Sequence, residues 1–423
     1  MSSREEKNIM IKEKSSATRL KRRSQTCRTF KFKIDKSSLK KGQLESLKMF
    51  FIDTKRVYNY LLNRVNNSDD IFTFDYKNLY DITYLDKDKN TVEYKISYIG
   101  SSILQDQVRL MKESIISLSS KKKKGGKAGR LKFKSECNSI RLLQYGVTHQ
   151  LRGSKFKIQG IKDPIRVTGL KQLSKYKDID YTVAHLLYDG IDYYVLLTCF
   201  TNKEEKSLKN DIVGVDMGCS TTIALSNGLK MNVHVEESDR LKRLQKILES
   251  KTKCSNNWYK VRNKIRKEYI RMNNKKEDAS NKMVSELLKY KTVVIQDELL
   301  SKWHQDEWCS TTVQHSALGR IKSKLQKHKD QVYILDPSLP TTQHCFRCGN
   351  DTKHDPSKRV FNCPICGYEE DRDIHAAKNM IQFYYIENKP LGTSGVKPKQ
   401  KVATLFGIGS PDDLSSKGSS LLK

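Results

Sequence analysis

Long apolar runs are missing from this sequence. None approaches the roughly 18 to 20 consecutive apolar residues of a membrane span. The amino-terminal segment carries charge but no apolar stretch of the kind a secretory signal needs. No membrane association is therefore expected. Acidic residues are also in short supply: 48 Asp and Glu stand against 80 Lys and Arg, a net charge of +32. Such an excess opposes compaction unless a polyanion neutralises it. Nucleic acid is the expected partner, and a small-molecule substrate is not. A merely lysine-biased surface is the bland alternative, and self-repulsion gives such a surface no evident benefit. A disulfide framework is absent too. Six of the ten cysteines are scattered singly (Cys27, Cys137, Cys199, Cys219, Cys254, Cys309), and four form two tight pairs near the carboxyl end. That usage points to a reducing compartment and a metal site. No internal repeat is evident.

What remains is a chain of 423 residues, enough for two or three domains with cores of their own. Residues 1–27 are polar and basic, ending in "RLKRRS", and are expected to form a disordered arm. "TFKFKID" alternates as a half-buried strand does. Leu44, Leu47, Phe51, Tyr58, Leu61 and Leu62 follow a helical period over 42–63, and a second helix is expected over 100–119. The block "KKKKGGKAGRLKFKS" reads as a loop in which glycine lets backbone approach a phosphate and lysine neutralises it. Strands such as "FKIQGI", "PIRVTGL" and "YYVLLTCF" follow. Residues 28–203 thus form a β-rich wedge with helices, suited to a recognition lobe, and 204–210 a linker. Over 239–290, Leu241, Leu244 and Leu248, then Val261, Ile265, Tyr269 and Met272, mark an amphipathic helical hairpin with a basic outer face. The tail over 386–423 is rich in Gly, Ser, Pro and Lys and is expected to be disordered.

Cys345-x2-Cys348 and Cys363-x2-Cys366, 14 residues apart, form two knuckles. Two intervening residues let both thiolates of a pair reach one ion, and two pairs complete a tetrahedral site. Four cysteines leave no open coordination position, so one structural zinc ion is expected within a ribbon over 341–370. Three acidic positions carry the other chemistry. "DIVGVDMGCSTTIALSNG" is an apolar strand ending in Asp216, a glycine turn and a second strand. "KTVVIQDELL" is another buried-type strand ending in acid. Asp371 and Asp373 precede the helix start "IHAAKN". Clustered carboxylates hold two divalent ions, one activating water and the other stabilising a phosphodiester's leaving oxygen. Hard oxygen ligands favour magnesium, so two catalytic Mg2+ are expected.

"GVDMGCSTTIALSNG", "VVIQDE", "PTTQHCFRCGN" and "CPICGYEEDRDIHAAKNM", in that order and at those intervals, resemble the TnpB (OrfB) nucleases of insertion sequences. The same split RuvC domain appears in compact type V CRISPR effectors and in Fanzor proteins. The similarity runs over roughly residues 28–385. It implies a ribonuclease-H-like RuvC nuclease domain over 211–385, with the zinc ribbon inserted just before the last catalytic segment, behind an N-terminal recognition lobe. It also implies an RNA-guided DNA endonuclease. A guide RNA of the omega RNA or crRNA type would pair with double-stranded target DNA beside a short flanking motif. The host would hold it in the cytoplasm with the nucleoid, or in the nucleus if eukaryotic.

Carried over by position, Asp216 is the first carboxylate ligand and Asp373 the third. His375 stands where the family usually has Asn. The second ligand departs more, because Gln296 occupies the place of a family Glu. Glu298 is the expected replacement: residues i and i+2 of a strand share a face, so it should point where Gln296 points. Asp297 should face away, bonding the loop before Trp303, and Glu307 is a more distant candidate. Nucleic-acid contacts are expected from Lys121, Lys122, Lys123, Lys124, Lys127, Arg130 and Lys132, and from Arg243, Lys260, Arg262, Lys264 and Arg266 on the hairpin. A reading from another class stays open: a nucleic-acid-binding transposon accessory protein with an inactive RuvC domain. Metal-dependent cutting separates the two.

Overall fold

A computed structural model of the chain describes residues 3–67, 70–85, 90–203, 208, 212–303, 305, 309–353, 355 and 358–388. The chain divides into two compact units, 1–204 and 205–423.

The first unit opens on helix α1 (Ser3–Arg23) and strand β1 (Gln25–Ile34). The expectation of a disordered arm over 1–27 is therefore corrected from Ser3 onward. The segment has no Gly or Pro to interrupt a helix, and its last turn is basic, as the helix dipole favours. That turn is tied down: Arg22 and Lys21 pair with Asp180 at 2.7 and 3.1 Å, and the Arg22 guanidinium lies 3.8 Å over the Phe200 ring. Next come α2 (Lys41–Asn66), a hairpin of β2 (Asp81–Leu85) and β3 (Thr91–Lys95), and α3 (Ser101–Lys123). Six further strands follow: β4 (Ser139–Leu142), β5 (His149–Arg152), β6 (Lys155–Ile158), β7 (Ile165–Thr168), β8 (Asp180–Tyr188) and β9 (Tyr193–Asn202).

These strands and β1 form a seven-stranded antiparallel sheet in the order β4-β8-β9-β1-β7-β6-β5. The alternation of "TFKFKI" sends Phe30, Phe32 and Ile34 to the core face, where they belong to one cluster with Phe50, Phe51, Leu61, Leu104 and Met111 of the helices. Asp106 of α3 is fully buried and accepts from Arg141 Nε and Nη2 of β4 at 3.0 and 2.7 Å, which fastens helix to sheet edge. The α3 helix runs four residues past the expected end at 119 and takes in the first three lysines of the basic block.

The second unit begins with β10 (Ile212–Asp216), β11 (Ile223–Leu225) and β12 (Lys230–Met231). The helical hairpin is α4 (Asp239–Glu249) and α5 (Asn256–Leu287), capped by Ser238 and Ser255, whose hydroxyls accept from Leu241 N and Trp258 N. Then come β13 (Thr292–Gln296), α6 (Leu300–Trp303), α7 (Ser310–His315), α8 (Leu318–Leu325) and β14 (Val332–Leu335). A small antiparallel pair, β15 (Val360–Asn362) and β16 (Glu369–Asp371), leads directly into α9 (Arg372–Glu387). The sheet order is β12-β11-β10-β13-β14, with β10, β13 and β14 parallel and β11 antiparallel to β10.

Helix α9 lies on this sheet because the contact is made of small groups. Ala376 and Ala377 are fully buried, and a Cβ built on Gly214 would fall inside the radius of the Ala377 carbonyl oxygen. Only glycine at the centre of β10 admits the helix so closely. That approach brings the first turn of α9 toward the carboxyl end of β10. Apart from Leu208, the expected linker over 204–210 lies outside the described residues, as do Glu307 and the tail beyond Asn388. No helix among the described residues is long and apolar enough to cross a membrane.

Candidate functional site

Asp216, Glu298 and Asp373 line one cavity of about 420 Å³, together with Gly218, Cys219, Trp303, Gln343, Arg359 and Arg372. Each carboxylate arrives on a different element: the last residue of β10, the turn after β13 and the first turn of α9. Burial, and then the charges of Asp373 and Glu298, push the Asp216 carboxyl up to about 7, against the opposing influence of Arg372. Glu298 is also raised, by burial first, with Lys322 opposing. Asp371 has a different task. It caps α9, accepting from the N–H groups of Asp373 and Ile374, and pairs with Lys230 at 2.7 Å. Burial would raise its carboxyl, but the Lys230 and backbone hydrogen bonds hold it below the usual range. Lys230 Nζ also lies 3.9 Å from Asp373. The acidic run behind the second cysteine pair thus divides into a helix cap and a cavity-facing carboxylate.

Glu298 and Gln296 do not share a face, contrary to the alternation argument. The strand ends at Gln296, and the Glu298 N–H turns back to donate to the Gln296 carbonyl. Gln296 is buried and points into the loop before the zinc module. Its Nε2 donates to the carbonyls of Asp336 and Leu339 at 3.0 and 2.9 Å, and its Oε1 accepts from Thr341 Oγ1 at 2.9 Å. Asp297 pairs with Lys322 of α8 at 2.7 Å, not with the loop before Trp303. Lys322 also donates to the Glu298 carbonyl, so α8 fastens both sides of the turn.

The sulfurs of Cys345, Cys348, Cys363 and Cys366 all lie within 4.8 Å of one another, the one such set of three or more His, Cys, Asp or Glu ligand atoms among the described residues. Cys345 Sγ is 3.7 Å from Cys366 Sγ, and Cys348 Sγ is 3.6 Å from Cys363 Sγ. Zinc–sulfur bonds of about 2.3 Å in a tetrahedron require sulfurs about 3.8 Å apart, so the cluster fits a zinc ion. The two knuckles repeat one backbone pattern. Gly349 N–H donates to the Cys345 carbonyl and Gly367 N–H to that of Cys363, and both glycines adopt positive φ. The module is joined to α9 through His375, which is fully buried, stacks on Phe361 with ring centroids 3.8 Å apart, and hydrogen-bonds the His344 carbonyl at 2.8 Å. Burial holds the His375 imidazole down at about 4, so it is neutral and donates from Nε2. Asn379, one turn on, donates to the carbonyls of Thr341 and His344.

The expected nucleic-acid contacts fall in both units. Lys121, Lys122 and Lys123 form the last turn of α3, Lys124 caps it, and Lys127, Arg130 and Lys132 follow in irregular chain, all exposed. Arg243, Lys260, Arg262 and Lys264 are exposed on the hairpin, and Arg266 is partly so. Sequence reasoning did not find Arg359, Arg372 or the Gln296–Thr341–Asn379 clamp. Their partners are remote in the chain, and only the arginine between two aspartates offered a local signal.

Two families match this chain: one described as "Probable transposase", of the OrfB type, over residues 195–299, and "Cas12f1-like, TNB domain" over 316–380. Over these two segments the chain resembles OrfB, TnpB-like transposases and carries a Cas12f-like TNB domain. Among curated relatives of this TnpB-like chain, a "Putative RNA-guided DNA endonuclease" of Streptomyces pristinaespiralis is 26% identical over 198 residues, 45% of this chain and 49% of that protein. InsQ of Escherichia coli (strain K12), which bears the same description, is 26% identical over 194 residues, 40% of this chain and 48% of its own length. The matches thus span about half the length of these relatives. The solved Cas12f1–sgRNA–target DNA complex aligns with 84% of this chain and 99% of its own at 13% identity and a TM-score of 0.42. A mini RNA-guided endonuclease structure aligns with 88% and 94% at 11% identity and 0.43.

Proposed function

We propose that this TnpB-like chain is an RNA-guided DNA endonuclease whose RuvC-type, ribonuclease-H-like unit hydrolyses phosphodiester bonds at Asp216, Glu298 and Asp373. The observation that carries the reading is the convergence of three carboxylates, 82 and 75 residues apart in sequence, on one cavity. The sheet order β12-β11-β10-β13-β14, with a single antiparallel strand beside the strand bearing Asp216, supports a ribonuclease-H-like sheet. The donor set suits hard divalent cations. Burial first, and then the charges of Asp373 and Glu298, push the Asp216 carboxyl up to about 7, a cost that a bound cation would offset. Two Mg2+ ions would supply activation of water and stabilisation of the leaving oxygen.

The chain's own residues then have distinct tasks. Asp216 is held by strand backbone, Glu298 by a turn that α8 fastens, and Asp373 by the helix whose start Asp371 caps. Arg359 and Arg372 bring positive charge to the cavity that receives a phosphate. The basic segments at 121–132 and on the hairpin hold guide RNA and target DNA through their backbones, and base pairing reads the sequence.

The test is a guide-RNA-programmed cleavage assay, with the RNA obtained by sequencing what co-purifies with the protein from its native locus. Asp216→Ala and Asp373→Ala should each lower cutting at least about a thousandfold, the loss of several kcal/mol of transition-state stabilisation. RNA and DNA binding should stay nearly intact. Near wild-type cutting by either variant overturns the site. Absence of any metal-dependent cutting by the wild type favours the accessory-protein reading, which the Gln at position 296 keeps in play.

A further inference from the structure

The hairpin of α4 and α5 ends in a feature that its packing does not require. Its own core is Leu241, Leu244, Val261 and Ile265, with Leu248 and Met272 against it. Val261 is the outermost layer on α5. Beyond it, at the tip, stand Trp258 and Tyr259, outside that core. Their rings meet edge to face with centroids 5.1 Å apart. Tyr259 is 44% exposed, and the Arg262 guanidinium, one turn along from Trp258, lies 5.1 Å over the indole. At the hairpin tip, outside its core, the partly exposed Trp258 and exposed Tyr259 keep apolar ring surface in contact with water, a cost that a ligand covering the rings would relieve. The surroundings say which ligand. Between residues 242 and 267 the chain carries ten Lys or Arg and one acid, Glu249. Trp258, Arg262 and Arg266 follow at i, i+4 and i+8, one face of the helix. Aromatic rings set among cations match a single-stranded nucleic acid: bases stack on the rings while phosphates meet the cations.

We propose that Trp258 and Tyr259 form a stacking platform for unpaired bases of a single strand, with Arg262 and Arg266 neutralising its phosphates. The proposal rests on the nucleic-acid reading above and adds to it a contact with bases, not phosphates alone. Duplex bases are stacked on one another and cannot use the rings, so the platform discriminates single strands from duplex.

The experiment titrates the full-length protein with a labelled oligo(dT), an oligo(U) and an abasic strand of equal length and charge. Wild type should bind the base-bearing strands about tenfold or more tightly than the abasic one, and tryptophan fluorescence should be quenched by the former alone. Trp258→Ala should remove most of that preference and leave abasic affinity and the salt slope unchanged. Trp258→Phe should keep the binding preference but lose the quenching. Tyr259→Ala should weaken the preference in part. Whether oligo(U) or oligo(dT) binds better identifies guide RNA or displaced DNA as the source. Equal binding of abasic and base-bearing strands by the wild type, or a Trp258→Ala protein that keeps the preference, overturns the platform while leaving the nucleic-acid reading standing. Failure to bind any of the three overturns both.

Discussion

Gln296 shows how one side chain decides between two chemistries. Its amide donates to two carbonyls and accepts from one hydroxyl in a buried loop contact. A carboxylate there would have no donors to offer and would set a negative charge against the Asp336 and Leu339 carbonyl oxygens. Position 296 is therefore built for an amide, and the acid of this turn that lines the cavity is Glu298. Gln296→Glu should lower stability by about 3 kcal/mol, the cost of a buried charge with its partners reversed, and should not raise cutting. A urea melt with an activity assay checks both. Glu298→Gln, isosteric but without the negative charge, should lose cutting at least about a thousandfold in saturating magnesium. Asp297→Asn removes the charge of a half-exposed partner of Lys322, which keeps its bond to the Glu298 carbonyl; the loss should be about 1 kcal/mol, and the variant should retain most of its activity. An active Glu298→Gln protein would shift the second ligand to an acid outside this turn.

At the scale of elements, the site depends on how closely α9 can lie on β10. Gly214→Ala alters no cavity residue, yet its methyl meets the Ala377 backbone, which cannot yield without lifting the helix. The variant should lose about 3 kcal/mol or more of stability and most of its cutting even at temperatures where circular dichroism shows it folded. Wild-type activity would remove the claim that this contact sets the Asp373 position. The zinc module bears on the same helix through the Phe361–His375 stack and the His344 carbonyl. Zinc removal by a chelator, or Cys363→Ser, should release one mole of zinc and lower cutting, while the helical content of the hairpin persists. Much of this architecture was legible beforehand. The period of α2 and α5, the strand before Asp216 and the four cysteines are local patterns, and local patterns survive without tertiary context. The turn at Asp297–Glu298 was not legible. Strand alternation assumes that β13 continues, but the Glu298 N–H turns back to the Gln296 carbonyl, while the Gln296 side chain is held by a loop about 40 residues downstream. Helix α1 was missed for the opposite reason: its charge density suggested disorder, but Asp180 and Phe200 anchor its last turn from 158 and 178 residues away.

For the molecule as a whole, a net charge of +32 makes association with a polyanion a matter of counterion release. Twelve basic residues are assigned to backbone contact, seven at 121–132 and five on the hairpin. If roughly eight meet phosphates of a single-stranded RNA, each releasing about 0.7 of a counterion, log affinity should fall against log salt with a slope of about −6. The hairpin and the α3 block belong to different units, so their contributions can be separated. Changing Lys121–Lys124 to Gln should reduce the slope by about 3, four contacts at about 0.7 each, without altering the fold, because all four side chains are exposed. Changing Arg243, Lys260 and Lys264 to Gln should reduce it by about 2. The two sets should add, each neutralising phosphates of its own. Binding isotherms of full-length protein with its co-purifying RNA from about 50 to 400 mM salt measure this. A wild-type slope shallower than about −3, or a slope that neither set changes, would mean that the positive charge serves something other than the nucleic-acid backbone. The cutting site would then stand without the grip that the charge excess implies.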